Sequence, residues 1–239
     1  MAAGKVGGTS WSAGLTAATD PRIAAVAAKL RGQKRGQYHW ANPRGESCLV
    51  LPIEKERQAD YGYVLGMYLG DGYIAKTRTT HVLRISLDNA HPEIISRCAA
   101  AVARVNPFHR VGTQLHELSV TIVRSYGMCW LRLLPQHGPG RKHERAIVLE
   151  AWQREVVTAE PMSFLRGLIE SDGCRFDRVV GGRVYGAYEF TNLSTDIIGL
   201  FTWTCDLLGL RYSRPSPVDV SIARRREVSL LDEFIGPKH

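Results

Sequence analysis

Two kinds of hydrophobic pattern alternate along the chain after about residue 57. HVLRISLD (81–88) and LSVTIVRS (118–125) alternate apolar and polar positions, which predicts strands with one buried face. YVLGMYLG (63–70) and FLRGLIES (164–171) are apolar runs with helical spacing, and each is followed by an Asp-Gly pair. The patterns predict the element order αββαββα, occurring twice, with half-buried antiparallel sheets packed on helices.

The elements of the first unit are expected as follows: a helix ending at Gly72, strands at Tyr73–Lys76 and Val82–Leu87, a helix at Pro92–Val105, strands at His109–Gly112 and Leu118–Val123, and a helix at Tyr126–Leu134. Those of the second unit are a helix ending at Gly173, strands at Cys174–Val180 and Val184–Thr191, a helix at Thr195–Leu208, strands at Arg211–Ser213 and Val218–Ala223, and a helix at Glu227–Phe234.

Four pairs of segments match in the same order at a nearly constant offset of roughly 100 residues. GMYLGDGYI matches GLIESDGCR, LDNAHPEII matches TNLSTDIIG, ELSVTIVRSYGMCWLRLL matches VDVSIARRREVSLLDEF, and GPGRKH matches GPKH. This indicates a tandem duplication with an N-terminal segment at 1–56, a first repeat at 57–155 and a second at 156–239. The N-terminal segment is expected to be flexible and basic, with a short helix beginning at Asp20-Pro21.

Small residues recur four positions apart on both apolar helices, at Gly66 and Gly70 in the first copy and at Gly167 and Ser171 in the second. Because glycine costs a helix about 1 kcal/mol relative to alanine, its presence indicates a close contact between two helix backbones. Such a contact brings the helix ends together.

Asp71 and Asp172 would then meet at the ends of the two helices. Two adjacent carboxylates repel each other and raise each other's pKa, so a divalent cation with oxygen ligands is the natural partner. Lys142 and Lys238, which recur in the matching segments, could stabilise charge there. An Asp-Gly pair is also a common turn signal, but two copies at matching places favour the site. Glu170, whose counterpart is Leu69, is expected to be an exposed or rim acid.

The composition adds a preference for a polyanionic partner. The 239 residues carry a formal net charge of +8, with a pI near 9.4, although a basic proteome would give the same balance. Five scattered cysteines without a C-x-x-C pair favour neither a disulfide framework nor a zinc site. With no secretory signal or apolar run of membrane-spanning length in the sequence, the expected location is cytoplasmic, at the nucleoid when bound to DNA.

The segments VLGMYLGDG (64–72) and LRGLIESDG (165–173) resemble the signature of the LAGLIDADG, or DOD-type, homing endonucleases in their single-chain form. The resemblance implies an α+β fold with pseudo-twofold symmetry, paired signature helices at the interface and two antiparallel sheets forming a DNA-binding saddle. It also implies Mg²⁺ or Mn²⁺ bound by Asp71 and Asp172 with Gly70 and Ser171, and Lys142 and Lys238 near the scissile phosphates.

The function expected from this resemblance is site-specific cleavage of double-stranded DNA by a monomer with internal pseudo-dimer symmetry. Relatives occur in inteins and introns, but the chain begins with Met and ends in GPKH, which favours a free-standing protein or a separated homing domain. The alternatives are an inactive DNA-binding regulator of the same fold and an RNA-splicing maturase. Candidate DNA contacts are Arg84, Arg183, Glu189, Arg224 and Arg225.

Overall fold

The computed structural model describes Pro21, residues 53–236 and Lys238. The predicted N-terminal segment, residues 1–56 with its short helix, therefore lies outside the described residues except for Pro21 and residues 53–56. Seven α-helices occur in the described part: α1 (Lys55–Asp71), α2 (Pro92–Val105), α3 (Cys129–Leu133), α4 (Ala151–Ala159), α5 (Pro161–Asp172), α6 (Thr195–Leu207) and α7 (Arg225–Phe234).

Within residues 53–236, seven strands form two antiparallel sheets. They are β1 (Gly72–Lys76), β2 (His81–Asp88), β3 (Val111–Glu117), β4 (Val120–Tyr126), β5 (Gly173–Val180), β6 (Arg183–Thr191) and β7 (Asp219–Ile222). The first sheet has the order β1-β2-β4-β3 and the second has the order β5-β6-β7. The predicted α+β class, with its two antiparallel sheets and paired helices, is confirmed.

The second sheet has one strand fewer than predicted. Residues 211–213 were expected to form a strand, but only Ser213 pairs, through an isolated bridge to Ser221. Ser213 and Ser221 exchange both backbone hydrogen bonds, and the next donor of this ladder toward β7 would be residue 215, a proline without a backbone N–H, so the ladder does not continue on that side. Residues 183–187 of β6, next to the β5–β6 turn, therefore pair with β5 but not with β7.

Helix α4 and a short 3₁₀ turn at Lys142–Glu144 were not predicted. Helix α4 runs across the predicted repeat boundary at residues 155 and 156, and the division of the chain into repeats stays a prediction. Helix α2 occupies the predicted residues, beginning at Pro92, whose missing N–H costs nothing in the first turn. Its buried residues Ile94, Cys98, Ala101, Val102 and Val105 follow helical spacing.

One hydrophobic core joins the two halves. Residues 61–69 of α1 are all buried, which is unusual for a helix of a protein this size and reflects burial on every side. Helix α5 packs directly against α1 and contributes Phe164, Leu165, Leu168 and Ile169 to the same core. The two apolar helices thus form the centre of the core of residues 53–236. Among the described residues, no helix combines the length and apolar character needed to cross a membrane.

Candidate functional site

Helices α1 and α5 touch backbone to backbone at the predicted glycines. A methyl group added to Gly66 would lie 2.5 Å from the carbonyl oxygen of Phe164 and 2.8 Å from the amide nitrogen of Leu168. One added to Gly167 would collide with the carbonyl oxygen of Tyr63. Since atoms of a real side chain do not approach backbone this closely, glycine is required at the crossing point of the two helices.

The lower pair of small residues lies one turn further on. A methyl group on Gly70 would overlap the side chain of Ser171 and come within 3.0 Å of the carboxyl carbon of Asp172. The Ser171 hydroxyl donates back along its own helix, with the carbonyls of Gly167 at 2.9 Å and Leu168 at 3.0 Å. The structure therefore brings all four predicted interface residues together.

Asp71 and Asp172 end the two helices side by side. Burial and, less strongly, the neighbouring charge of Asp172 together raise the pKa of Asp71 to about 6. Burial also raises the pKa of Asp172, although a hydrogen bond donated by Asn192 at 2.6 Å opposes this. Carboxylates at the negative ends of two helix dipoles are held at an energetic cost, which a cation would relieve.

Lys142 and Lys238 supply positive charge at the same place. The Lys142 ammonium donates to the carbonyl oxygens of Tyr68 at 2.6 Å and Gly70 at 2.7 Å, and the Lys238 ammonium donates to that of Ser171 at 3.2 Å. Burial lowers the pKa of Lys142 to about 8, and the charges of Asp172 and Asp71 oppose this shift. Both predicted lysines thus lie near both predicted acids.

Part of this site borders an open cleft of about 490 Å³ between the two halves. Gly70, Lys142 and Asp172 lie on its wall with two further basic residues, Arg141 and His143. Carboxylate and carbonyl oxygens are the donors that Mg²⁺ and Mn²⁺ accept, so Asp71, Asp172 and the carbonyls of Gly70 and Ser171 fit a divalent cation. Across the described residues, no cluster of three or more His, Cys, Asp or Glu side chains could hold a metal.

Glu170 is not the exposed or rim acid that the sequence suggested. Its side chain is only 3% exposed, because three donors from two helices of the first half and from its own helix surround the carboxylate. Tyr63 donates at 2.6 Å, Arg97 at 2.5 Å and Arg166 at 2.9 Å. We call Tyr63, Arg97 and Glu170 the polar triad. Burial and the Glu170 charge raise the pKa of Tyr63, which keeps its hydroxyl proton on the bond.

The outward face of the first sheet carries the predicted Arg84. Arg84 pairs with Tyr73 on one side and lies directly opposite Arg124 on the other. Its guanidinium donates to the Tyr73 hydroxyl at 3.1 Å, and Arg124 donates to Gln114 at 2.6 Å. Two arginines facing each other across a ladder repel, so this face favours an anionic partner.

The other predicted DNA contacts lie in the second half. Arg183 is exposed at the start of β6, and Glu189 lies on the same face of that strand, 4.0 Å from Arg178. Arg224 and Arg225 are exposed at the beginning of α7. The three arginines lie on the surface of the second half.

Sequence reasoning missed Asn192, which holds one oxygen of Asp172, and Arg124, which extends the basic row on the first sheet. The alternation in LSVTIVRS already placed Arg124 on the polar face of its strand. Asn192 follows directly after β6, whose residue Phe190 pairs with Gly173. Register alone would therefore have placed Asn192 beside the end of α5.

Comparison with known proteins gives a fold but no sequence relative. No protein-family model matches the chain, and neither does any curated protein. Mesophilic variants of the homing endonuclease I-DmoI superpose with a TM-score of 0.52 at 14% identity, over 77% of this chain and 99% of theirs. I-DmoI in complex with DNA and Mn gives 0.51 at 14% identity, with the same coverage of both chains.

Full-length DUF199/WhiA from Thermotoga maritima also shares the fold, with a TM-score of 0.50 at 13% identity. The match covers 78% of this chain and 58% of WhiA. The two antiparallel sheets, the touching helix pair and these superpositions lead to one structural conclusion: the chain has the α+β fold of the LAGLIDADG homing endonucleases.

Proposed function

We propose that this protein is a site-specific endonuclease that hydrolyses phosphodiester bonds of double-stranded DNA with Mg²⁺ or Mn²⁺. The observation that carries the proposal is the position of Asp71 and Asp172, side by side at the ends of two helices in backbone contact. Burial makes the ionised pair costly for the fold. The chain retains both acids despite this cost, which favours a chemical role over a structural one.

The residues of the site would have different roles in the reaction. Asp71, Asp172 and the carbonyls of Gly70 and Ser171 would hold the divalent cation, which would activate water and stabilise the leaving oxygen. Lys142 and Lys238 would offset negative charge that develops on the phosphate. Asn192, through its 2.6 Å bond, fixes one oxygen of Asp172 and so orients the other.

The DNA would lie across the outward faces of the two sheets. Arg84 and Arg124 would pair with phosphates, which removes the repulsion between them, and Tyr73 with Gln114 would add polar contacts. Arg183 and Glu189 on the second sheet, with Arg224 and Arg225 at the start of α7, extend this surface. Because one chain supplies both halves, we propose that the protein acts as a monomer.

The test begins with selection of bound duplexes from a randomised library in Ca²⁺, followed by cleavage assays in Mg²⁺. Wild type should cleave the selected duplex, whereas Asp71→Asn and Asp172→Asn should bind it in Ca²⁺ and leave it intact in Mg²⁺. Asp60→Asn, on the same helix but paired with Arg104, is the matched control and should cleave normally. If wild type and both site variants cleave the duplex at the same rate, the assignment of Asp71 and Asp172 as metal-binding acids is refuted.

A second candidate is a DNA-binding regulator that keeps the fold without cleavage, and the similarity to WhiA is the observation that favours it. The same library separates the two functions. A regulator would select a duplex and leave it intact in Mg²⁺ and Mn²⁺, and the two Asp variants would bind that duplex as wild type does.

A further inference from the structure

Both lysines of the site bind the atoms that a metal would need. The carbonyls of Gly70 and Ser171 each precede the terminal Asp of their helix, and Lys142 and Lys238 donate to them at 2.7 Å and 3.2 Å. The last carbonyls of a helix have no partner within the helix and carry its negative dipole, so they attract cations. Here the protein's own ammonium groups already bind them.

The two contacts are unequal. Lys142 binds two carbonyls, those of Tyr68 and Gly70, at 2.6 and 2.7 Å, and its ammonium lies 5.2 Å from the centre of the Tyr68 ring. Lys238 makes one longer bond, to Ser171. Lys142 is the first residue of the unpredicted 3₁₀ turn at Lys142–Glu144, and its side chain reaches the end of α1 from there.

We propose that the Lys142 ammonium and a divalent cation are alternative occupants of the Gly70 carbonyl. Lys142 stabilises the end of α1 when no metal is bound and must leave that oxygen when a metal binds. This inference rests on the proposed metal site. It adds a role for Lys142 in setting metal affinity, separate from any effect on the phosphate.

The physical reason is the geometry of one oxygen between two cations. A carbonyl that accepts a short charge-assisted bond from an ammonium cannot also coordinate Mg²⁺ at about 2.1 Å without bringing two positive charges into contact. Metal binding at the Gly70 carbonyl must therefore displace the 2.7 Å bond from Lys142, and metal binding at the Ser171 carbonyl must displace the 3.2 Å bond from Lys238.

The experiment measures Ca²⁺ binding to the full chain by calorimetry, without DNA, so that no reaction contributes. Lys142→Met should bind Ca²⁺ about tenfold more tightly than wild type, because no ammonium has to leave. Arg141→Gln is the matched control, since it removes one positive charge from the adjacent residue on the wall of the same cleft. It should change the affinity by less than about threefold, the size of a screened surface effect.

A second readout is thermal stability. In EDTA, Lys142→Met should melt below wild type, because the two carbonyls lose their donor, and saturating Ca²⁺ should remove most of that difference. Lys142→Gln, which keeps a hydrogen-bond donor, serves if the Met variant does not fold in EDTA. It should also bind Ca²⁺ more tightly than wild type.

Three results would contradict the proposed exchange between Lys142 and the metal. Equal gains in affinity for Lys142→Met and Arg141→Gln would show a general charge effect and overturn the exchange. A loss of melting temperature that is the same with and without Ca²⁺ would overturn it as well. Absence of Ca²⁺ and Mn²⁺ binding in wild type and all variants would refute the metal site itself, and this inference with it.

Discussion

Replacing Asp71 by Asn should make the metal-free protein more stable at neutral pH. Burial and the neighbouring Asp172 raise the pKa of Asp71 from 3.8 to about 6 in the folded protein. A carboxyl whose folded pKa exceeds its unfolded pKa keeps its proton longer in the folded state. The stability of wild type therefore falls as the pH rises from about 4 to about 6 and stays low above it.

The magnitude follows from the shift of roughly two pKa units, at 1.36 kcal/mol per unit, which gives about 3 kcal/mol of destabilisation above pH 6. The amide of Asn carries no charge and avoids this cost. For a chain of this length, about 3 kcal/mol corresponds to a melting temperature higher by roughly 6–12 °C. Asp172 also gains, because its nearest negative neighbour disappears.

The assay is thermal or urea unfolding in EDTA at pH 7.5 and at pH 4. Asp71→Asn should exceed wild type in stability at pH 7.5, and the difference should shrink toward zero at pH 4. Asp60→Asn, which loses its ion pair with Arg104, should be no more stable than wild type at either pH. An Asp71→Asn variant that is no more stable than wild type at pH 7.5 would refute the reasoning, as would a gain that is independent of pH.

Three further predictions concern packing, buried charge and DNA contacts. Gly66→Ala should lower the free energy of unfolding by about 3 kcal/mol or more, because the added methyl group meets the backbone of α5. Gly62→Ala, where the nearest neighbouring atom would lie at 3.5 Å, should be neutral or stabilising by up to about 1 kcal/mol. Urea unfolding of both variants measures the difference. Glu170→Leu should cost about 3–5 kcal/mol, since the buried Tyr63 hydroxyl and the partly exposed Arg97 and Arg166 lose their acceptor. The matched change Glu155→Leu, at an exposed position, should alter the free energy of unfolding little. Arg84→Ala should weaken DNA binding and reduce the slope of log affinity against log salt by about 1, measured by fluorescence anisotropy; an unchanged slope would place Arg84 outside the interface.

The helix pair was predictable because its signals are local. Gly66, Gly70, Gly167 and Ser171 lie at fixed spacing on apolar helices, where glycine is unfavourable unless another backbone approaches. Asp71 directly follows Gly70, and Asp172 directly follows Ser171, so the sequence itself marks the two helix ends. The position of the two carboxylates thus followed from spacing and from the repeat, without knowledge of the sheets.

The polar triad was not predictable because its partners are distant in the sequence. Glu170 meets Tyr63 across 107 positions and Arg97 across 73, so its burial depends on how the two halves pack. Within its own segment, Glu170 has the pattern of an ordinary surface acid. The shortness of the fourth strand has one local signal, since Pro215 lacks the backbone N–H that would continue the ladder from Ser213 toward Asp219.

The polar triad also makes the two halves of the molecule non-interchangeable. Helices α1 and α5 have different residues at the same number of positions before their terminal Asp. Helices α2 and α6 also have different residues at equivalent positions. The counterparts of Tyr63, Arg97 and Glu170 are Phe164, Leu200 and Leu69, all of them buried in the hydrophobic core.

One side of the contact between α1 and α5 is therefore ionic, and the equivalent side is hydrophobic. If α5 met a second copy of itself, each Glu170 would face Phe164 and Leu200, and a carboxylate would be buried without its donors. If α1 met a second copy of itself, Tyr63 and Arg97 would lack their acceptor. The joint between the two halves therefore accepts only the unlike pair, one α1 against one α5.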